Sequence, residues 1–308
     1  MNVPRLALAG LTLSLLGTAP AMAESRLCQM PLEASLDMTT EADGEVSVPV
    51  TVSGLAGQML IDTGGVQTIL GRTVARRLAL GIQPSANTYM LFGGVRLQEL
   101  ATAHELILGR LKAKEIPLLL APPASLHNDD IGILAPDIMS NYDVELDFAA
   151  GKFNLFQHFS CSGTPVYWTK EPVATVPFKH DFEDHIMISI ALDGQEVTAG
   201  VDTGADRSTM TLAAFRELFG KGPDEPALSV VGKISINGTR AMRIFRYSFQ
   251  ALNFEGIRVQ KPNIDIVETD RLDDRAPKII LGVETLRQLH MYIAYDARKI
   301  YFTAAEAR

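Results

Sequence analysis

The sequence predicts a mainly β protein made of two tandem copies of one small unit, packed about a pseudo-twofold axis. Three observations predict it. Ile61-Asp62-Thr63-Gly64-Gly65 returns 140 residues later (62 to 202) as Val201-Asp202-Thr203-Gly204-Ala205. Matching alternating runs precede the two copies: Val48, Val50 and Val52 fall on Ile188, Ile190 and Leu192, and Gly54 falls on Gly194. Farther on, Ile133-Leu134-Ala135-Pro136-Asp137 answers Ile280-Leu281-Gly282-Val283-Glu284 at an offset of 147 (135 to 282), and Leu146-Asp147-Phe148 answers Ile293-Ala294-Tyr295. A repeat held over such a span, with a drift that one loop insertion explains, marks a duplicated structural unit.

The chain opens on an address. Arg5 precedes an apolar run from Leu6 to Thr18, and Ala21-Met22-Ala23 supplies the small residues of a cleavage site. Residues 1–23 therefore read as a signal peptide cut after Ala23. The run is too short to span a bilayer comfortably, so no integral membrane segment is expected after cleavage, and the mature protein is expected in the periplasm or outside the cell. Cys28 and Cys161 are the only cysteines. In an oxidising compartment they read as one disulfide.

The first unit, residues 24–159, begins with Val46 to Val52, where valine stands at every second position as in a half-buried strand. Ser53-Gly54 is a turn signal, and a second apolar strand follows and ends in Asp62. Thr73 to Leu80 reads as a short helix, and Thr88 to Leu108 as a hairpin about Gly93-Gly94. Residues 160–177, rich in Pro, Ser, Thr and Gly, read as a linker. The second unit, 178–308, repeats the plan with the Ile186 to Leu192 strand, the Asp193-Gly194 turn, a Leu212 to Phe219 helix and a Val230 to Phe249 hairpin. Asn237-Gly238 is a strong hairpin-turn signal. Asn237-Gly238-Thr239 also fits a glycosylation acceptor, but the turn reading is preferred.

With 47% apolar and 21% charged residues among 308, the composition is that of an ordinary globular chain. The net charge of −8 comes without any basic cluster, which disfavours nucleic-acid and anionic-membrane partners. No phosphate loop, dinucleotide fingerprint or Gly-x-Ser-x-Gly elbow is present. His180-Asp181-Phe182-Glu183-Asp184-His185 has possible metal spacing but reads as a solvated acidic loop. Asp270, Asp273 and Asp274 read as a surface loop, Trp168 as a packing residue, and His104, His127, His158 and His290 as members of no triad.

One Asp-Thr-Gly could be a turn at a strand end. Two copies at equivalent places in a repeat, each setting an ionisable residue directly after an apolar strand where burial is costly, are a functional signal. A pseudo-twofold would bring Asp62 and Asp202 face to face. Two carboxylates in hydrogen-bond reach cannot both ionise comfortably, so one keeps a proton while the other stays charged. Gly64 and Gly204 let backbone approach the carboxylates, and the Thr63 and Thr203 hydroxyls can bond across the interface.

Val201-Asp202-Thr203-Gly204-Ala205-Asp206-Arg207-Ser208 resembles the active-site segment of the retropepsins, the retroviral-type aspartic proteases. Ile279-Ile280-Leu281-Gly282 resembles their apolar-apolar-glycine segment behind the active loop. Leu60 to Gly65 and Ile133-Leu134-Ala135 match in the first half, so the resemblance spans nearly all of Glu45 to Phe302. It is similar in plan to bacterial exported retropepsin-like proteins and, in its single-chain arrangement, to pepsins. The resemblance implies a closed β-barrel in each half and a polypeptide substrate held in a groove between them. It implies Asp62 and Asp202 as the pair that activates a water on a peptide carbonyl, with no cofactor or metal. The hairpins at Phe92-Gly93-Gly94 and Asn237-Gly238 would be flaps. Gly65, Ala205 and Asp206 would line the groove.

The sequence departs from the family at Ala135, where glycine is usual, and at Val66, which stands where Asp206 stands in the second half. The groove is therefore expected to be asymmetric. Gly65 and Ala205 carry no hydroxyl where pepsins often do, so the expected pH optimum is less acidic than pepsin's. One chain supplies both aspartates, which makes a monomer the simplest assembly. The alternative from another class is a peptide-binding module of the same fold without activity.

Overall fold

The computed structural model describes residues 30–305 except 42–43, 92–94, 124, 127–128, 161–162, 182–184, 235–240 and 270–276. The signal segment, Cys28 and Cys161, His127, the hairpin tips Phe92-Gly93-Gly94 and Asn237-Gly238, Phe182-Glu183-Asp184 and the acidic Asp270 to Asp274 loop lie outside the described residues.

The first half contains β1 (Leu32–Asp37), β2 (Thr39–Thr40), β3 (Val46–Val52), β4 (Leu55–Ile61), β5 (Ile69–Gly71), α1 (Arg72–Arg77), β6 (Ile82–Met90), β7 (Arg96–Leu108), β8 (Leu111–Ala121), β9 (Gly132–Leu134), α2 (Pro136–Met139), β10 (Asp143–Asp147) and β11 (Lys152–Phe156). The second contains β12 (Ala174–Pro177), β13 (Lys179–His180), β14 (Ile186–Leu192), β15 (Gln195–Val201), β16 (Thr209–Thr211), α3 (Leu212–Phe219) and β17 (Ser229–Ile234). It continues with β18 (Met242–Ser248), β19 (Ala251–Phe254), β20 (Ile257–Gln260), β21 (Asn263–Val267), β22 (Ile279–Leu281), α4 (Val283–Leu286), β23 (Leu289–Ala294) and β24 (Lys299–Ala304).

The alternating runs became strands because their valines and isoleucines bury one face: Val46, Val48, Val50 and Val52 on β3, and Ile186, Ile188, Ile190 and Leu192 on β14. Ser53-Gly54 and Asp193-Gly194 both take positive φ at two successive positions, the hairpin turn whose twist matches its strands. Each turn returns the chain along β4 or β15 toward an Asp-Thr-Gly. Helix α3 has the length expected, capped by Thr211 Oγ1 accepting from Ala214 N–H (3.0 Å) and closed at left-handed Gly220. Helix α1 ends at Arg77, short of the expected Leu80. Its N-terminus has no side-chain cap, and Ala79 turns to φ +53°.

In the first half, β3, β4, β9, β5, β8 and β7 pair in sequence, and β7 pairs back onto β3, closing a six-stranded barrel. The second half repeats the ring with one change. The counterpart of the long β7–β8 hairpin is split near Phe249 and Lys261 into β18·β21 and β19·β20. Phe249 N–H to the Pro262 carbonyl (3.0 Å) and Lys261 N–H to the Gln250 carbonyl (3.1 Å) join the two parts.

A third sheet joins the halves, in the order β1-β11-β10-β23-β24-β12. Its seam is β10 against β23, where Val144 faces Ile293 and Leu146 faces Met291. These four side chains belong to one continuous apolar core running through both barrels. The last residues of the expected linker form β12, which pairs with β24. Ahead of it Val166, Trp168 and Val173 pack on the sheet's other face, where Trp168 stacks on His290 (3.9 Å between centroids, 10°) and its Nε1–H donates to Thr303 Oγ1 (3.0 Å). Among the described residues no helix is long and apolar enough to cross a membrane.

Candidate active site

The strands deliver Asp62 and Asp202 to the interface of the halves in the same way. β4 runs parallel to β9, and β15 parallel to β22. Asp62 N–H donates to the Leu134 carbonyl and Asp202 N–H to the Leu281 carbonyl, both at 3.0 Å. Each aspartate thus sits where an apolar strand ends and its backbone is still anchored.

The threonines lock the halves together. Thr63 N–H donates to Thr203 Oγ1 and Thr203 N–H to Thr63 Oγ1, each at 3.0 Å. The hydroxyls then donate to backbone of the opposite half: Thr63 Oγ1 to the Val201 carbonyl (2.9 Å) and Thr203 Oγ1 to the Ile61 carbonyl (2.7 Å). Both threonines are fully buried, so every one of these polar groups needs its partner.

The glycines set the approach. A Cβ on Gly64 would stand 2.3 Å from Asp202 Cγ, and a Cβ on Gly204 would stand 2.5 Å from Asp62 Cγ. Each half's glycine packs against the other half's carboxylate, and no side chain fits there. Gly64 N–H donates to Asp62 Oδ1 (2.9 Å) and Gly204 N–H to Asp202 Oδ1 (2.8 Å). Gly65 and Ala205 bond the same carboxylates through their backbone N–H groups.

Both aspartates are half-buried. Loss of water pushes both carboxyls above the ordinary range. Asp62 is pushed well above it, because the charge and hydrogen bond of Asp202 add to the burial. Asp202 is held back by its hydrogen bond from Asp62, by Gly204 N–H and by the charge of His185. The pair is therefore arranged to share one proton between the two carboxyls.

His185 is a residue that sequence reading placed in a solvated loop. The antiparallel register of β14 and β15, Met187 opposite Gly200, sets it across from Asp202. Its Nδ1 bonds Asp181 Oδ2 (2.9 Å), and Asp181 Oδ1 accepts its backbone N–H (3.0 Å). A signal existed: His185 precedes Asp202 by the same interval as Glu45 precedes Asp62. Among the described residues no group of three or more His, Cys, Asp and Glu is arranged for a metal ion.

Behind each loop, a short helix braces it differently. In the second half Val283 N–H donates to the Ala205 carbonyl (2.8 Å) and Glu284 N–H to the Asp206 carbonyl (3.0 Å). Gly282 N–H donates to Ser208 Oγ (3.1 Å), which bonds Thr285 Oγ1 (2.7 Å). A Cβ at Gly282 would strike Arg207 backbone at 2.4 Å. In the first half Pro136 has no N–H to donate. The loop is held instead through Asp137 Oδ1, which accepts from Thr68 N–H (2.9 Å) and Oγ1–H (2.6 Å), while Ala135 N–H donates to Thr68 Oγ1 (3.1 Å). Ala135 is fully buried with its methyl accommodated beside Gly65. The departure at Ala135 is thus a repacked brace, made together with Pro136. Asp206 is exposed, with Arg207 Nε at 3.8 Å, and Val66 is half-buried. The two flap tips lie outside the described residues, but the arms that carry them, β6–β7 and β17–β18, are formed.

Comparison with known proteins agrees with this geometry. The chain matches the family model described as aspartyl protease over residues 48–137 and again over 188–285, one Asp-Thr-Gly in each region. No curated protein matches its sequence. Among solved structures it is similar to Basic 7S globulin from soybean, with a TM-score of 0.54 over 90% of this chain and 96% of that one, at 11% identity. A likeness at that identity speaks for the fold alone.

Proposed function

The chain belongs to the aspartyl protease family, and from that premise we propose that it is an endopeptidase whose pair is Asp62 and Asp202. The observation that carries this reading is the reciprocal Thr63–Thr203 lock, which sets each half-buried carboxylate against the other half's glycine. Two carboxyls so placed can hold a water between them. The charged carboxylate of the pair draws a proton from that water as the water oxygen attacks the peptide carbonyl, and its protonated partner donates to the carbonyl oxygen. Collapse of the tetrahedral intermediate then expels the amine, which takes the proton first drawn from the water, while a hydroxyl of the intermediate returns a proton to the other carboxylate. The Thr and Gly backbone groups spend no reorganisation during the step, because they are already bonded to the carboxylates or to each other. The apolar run near the amino terminus supports export, and hence exported or membrane-anchored polypeptides as substrates.

The test is digestion of an unstructured protein such as casein across a pH series. Asp62→Asn and Asp202→Asn should each lower kcat by about a hundred- to ten-thousandfold, with folding intact by circular dichroism. Cleavage surviving in either variant would reject the pairing. A folded wild type that cleaves nothing but binds peptides would instead identify a binding module.

A further inference from the structure

The strand faces that flank the two aspartates are related by the pseudo-twofold, and the strand registers identify which residues correspond. In the first half Leu60 pairs with Ile133, Ile69 with Leu119, and Leu100 with Leu119 across the ladder. In the second half the same ladder positions hold Gly200 with Ile280, Thr209 with Asp265, and Arg246 with Asp265. Thus Leu119 corresponds to Asp265, Leu100 to Arg246 and Ile69 to Thr209.

These faces border the site. Ile133 and Ile280 directly precede Leu134 and Leu281, whose carbonyls hold the aspartate N–H groups. Ile69 and Thr209 directly follow the loop residues Thr68 and Ser208. In the first half the face is a separate apolar cluster outside the barrel core, running from Leu60, Ile69 and Ile133 up to Tyr89 and Leu91 on the flap arm. In the second half Asp265 is almost fully buried and accepts both Arg246 Nε–H (2.8 Å) and Nη2–H (3.0 Å). Arg207 Nη1 is bonded to Glu284 Oε2 (2.7 Å). Asp206 stands 3.8 Å from Arg207 Nε and its charge, like that of Glu284, also acts on Arg246, so the second wall carries three acids, Asp206, Asp265 and Glu284, against two arginines.

We propose that the groove reads a polypeptide asymmetrically: a bulky apolar side chain against the first-half wall on one side of the scissile bond, and a polar, preferentially cationic side chain against the Arg246–Asp265 wall on the other. This rests on the endopeptidase reading for the position of the scissile bond. An apolar side chain on the second wall would strip water from paired charges without replacing its hydrogen bonds. An anionic one would meet a wall that holds one acid more than its arginines. A cation or amide finds acceptors. On the first wall the same polar side chain would lose its water against leucine and isoleucine. Arg246 and Asp265 are thereby specificity-determining residues.

The experiment uses an equimolar library of unstructured peptides varied to Leu, Gln, Lys or Glu at the two positions flanking a central dipeptide. Mass spectrometry reads the cleavage sites of the wild type, and fluorescence anisotropy reads peptide binding to the folded Asp62→Asn protein. The expected result is an apolar residue on one side and Lys or Gln on the other, favoured over the doubly apolar peptide by about tenfold or more. The double substitution Arg246→Leu with Asp265→Leu copies Leu100 and Leu119, avoids leaving one charge unpaired, and should invert that preference toward doubly apolar peptides. Wild-type selection that is apolar on both sides, or a profile unchanged in the double variant, would overturn the proposal. So would equal or absent binding of all peptides by Asp62→Asn. Loss of cleavage with the binding preference intact would reject the endopeptidase reading and leave the asymmetric groove standing.

Discussion

At the scale of single residues, the site is a place where the fold holds ionisable groups against their preference. Asp62 is pushed up by burial first and by Asp202 second. A carboxyl whose folded pKa lies above its unfolded value, near 3.9, binds more protons folded than unfolded. Its contribution to stability is fully present below that pH and is lost as pH rises through the folded value. Asn cannot ionise, so Asp62→Asn should match the wild type in thermal stability near pH 3 and gain on it steadily toward pH 7. For a chain of this size each kcal/mol gained raises Tm by about 2–4 °C. Melting curves at several pH values check this, and a variant less stable than the wild type at pH 7 would mean that the buried charge is better solvated than its surroundings indicate. The gain at neutral pH is the usual trade between a strained site and stability.

At the scale of elements, the two helices behind the loops do one task with different chemistry. Gly282→Ala would drive a methyl into Arg207 backbone and break the Val283–Ala205 bond, so it should cost about 1–3 kcal/mol and lower kcat by about a hundredfold as the Asp202 loop shifts. Ala135→Gly removes one buried methyl and should cost about 1 kcal/mol, with kcat little changed. Urea titrations and steady-state kinetics on both variants distinguish them, and equal penalties would sink the account of the repacked brace. Much of this level was legible in the sequence. The alternation of valine in one run and of isoleucine and leucine in the other gave β3 and β14, the Gly-containing turns gave their hairpins, and the double Asp-Thr-Gly placed both aspartates at strand ends. His185 was not legible, because its neighbours in sequence, Asp181 and Glu183, read as a solvated loop and only strand register sets it opposite Asp202. The Arg246–Asp265 wall was hidden for the same reason: those residues are 19 apart and meet only across the ladder. The underside of the central sheet was also missed. There Asp143 bonds His158 (2.9 Å) and Tyr292 (3.0 Å), and Glu145 bonds His290 (2.8 Å). Acids alternating with apolar residues in Asp143-Val144-Glu145-Leu146-Asp147 suggest an exposed face, and only the covering linker with Trp168 makes it a buried one.

At the scale of the whole molecule, the duplication reads as two domains, yet the physical unit is one. The site exists only across the interface, because the Thr63 and Thr203 hydroxyls each end on the other half's backbone. The central sheet takes β1, β11 and β10 from the first half and β23, β24 and β12 from the second, and the apolar core is continuous through its seam. Separating the halves would expose the β10 and β23 edges and the faces around Leu146 and Met291. Unpaired apolar edges of that kind aggregate rather than persist. The chain should therefore unfold in a single cooperative transition, with coincident fluorescence and circular-dichroism curves in urea and a calorimetric enthalpy equal to the van't Hoff value. Residues 24–159 and 160–308 expressed apart should be insoluble or unfolded, and expressed together should recover a folded heterodimer, since the seam is backbone pairing plus apolar contact and needs no covalent link. Two separate transitions, or one half folding alone, would show that the seam is a docking surface between independent barrels. In that case the two aspartates would be brought together by association, and their shared proton, like the activity proposed for them, would depend on how tightly the halves close.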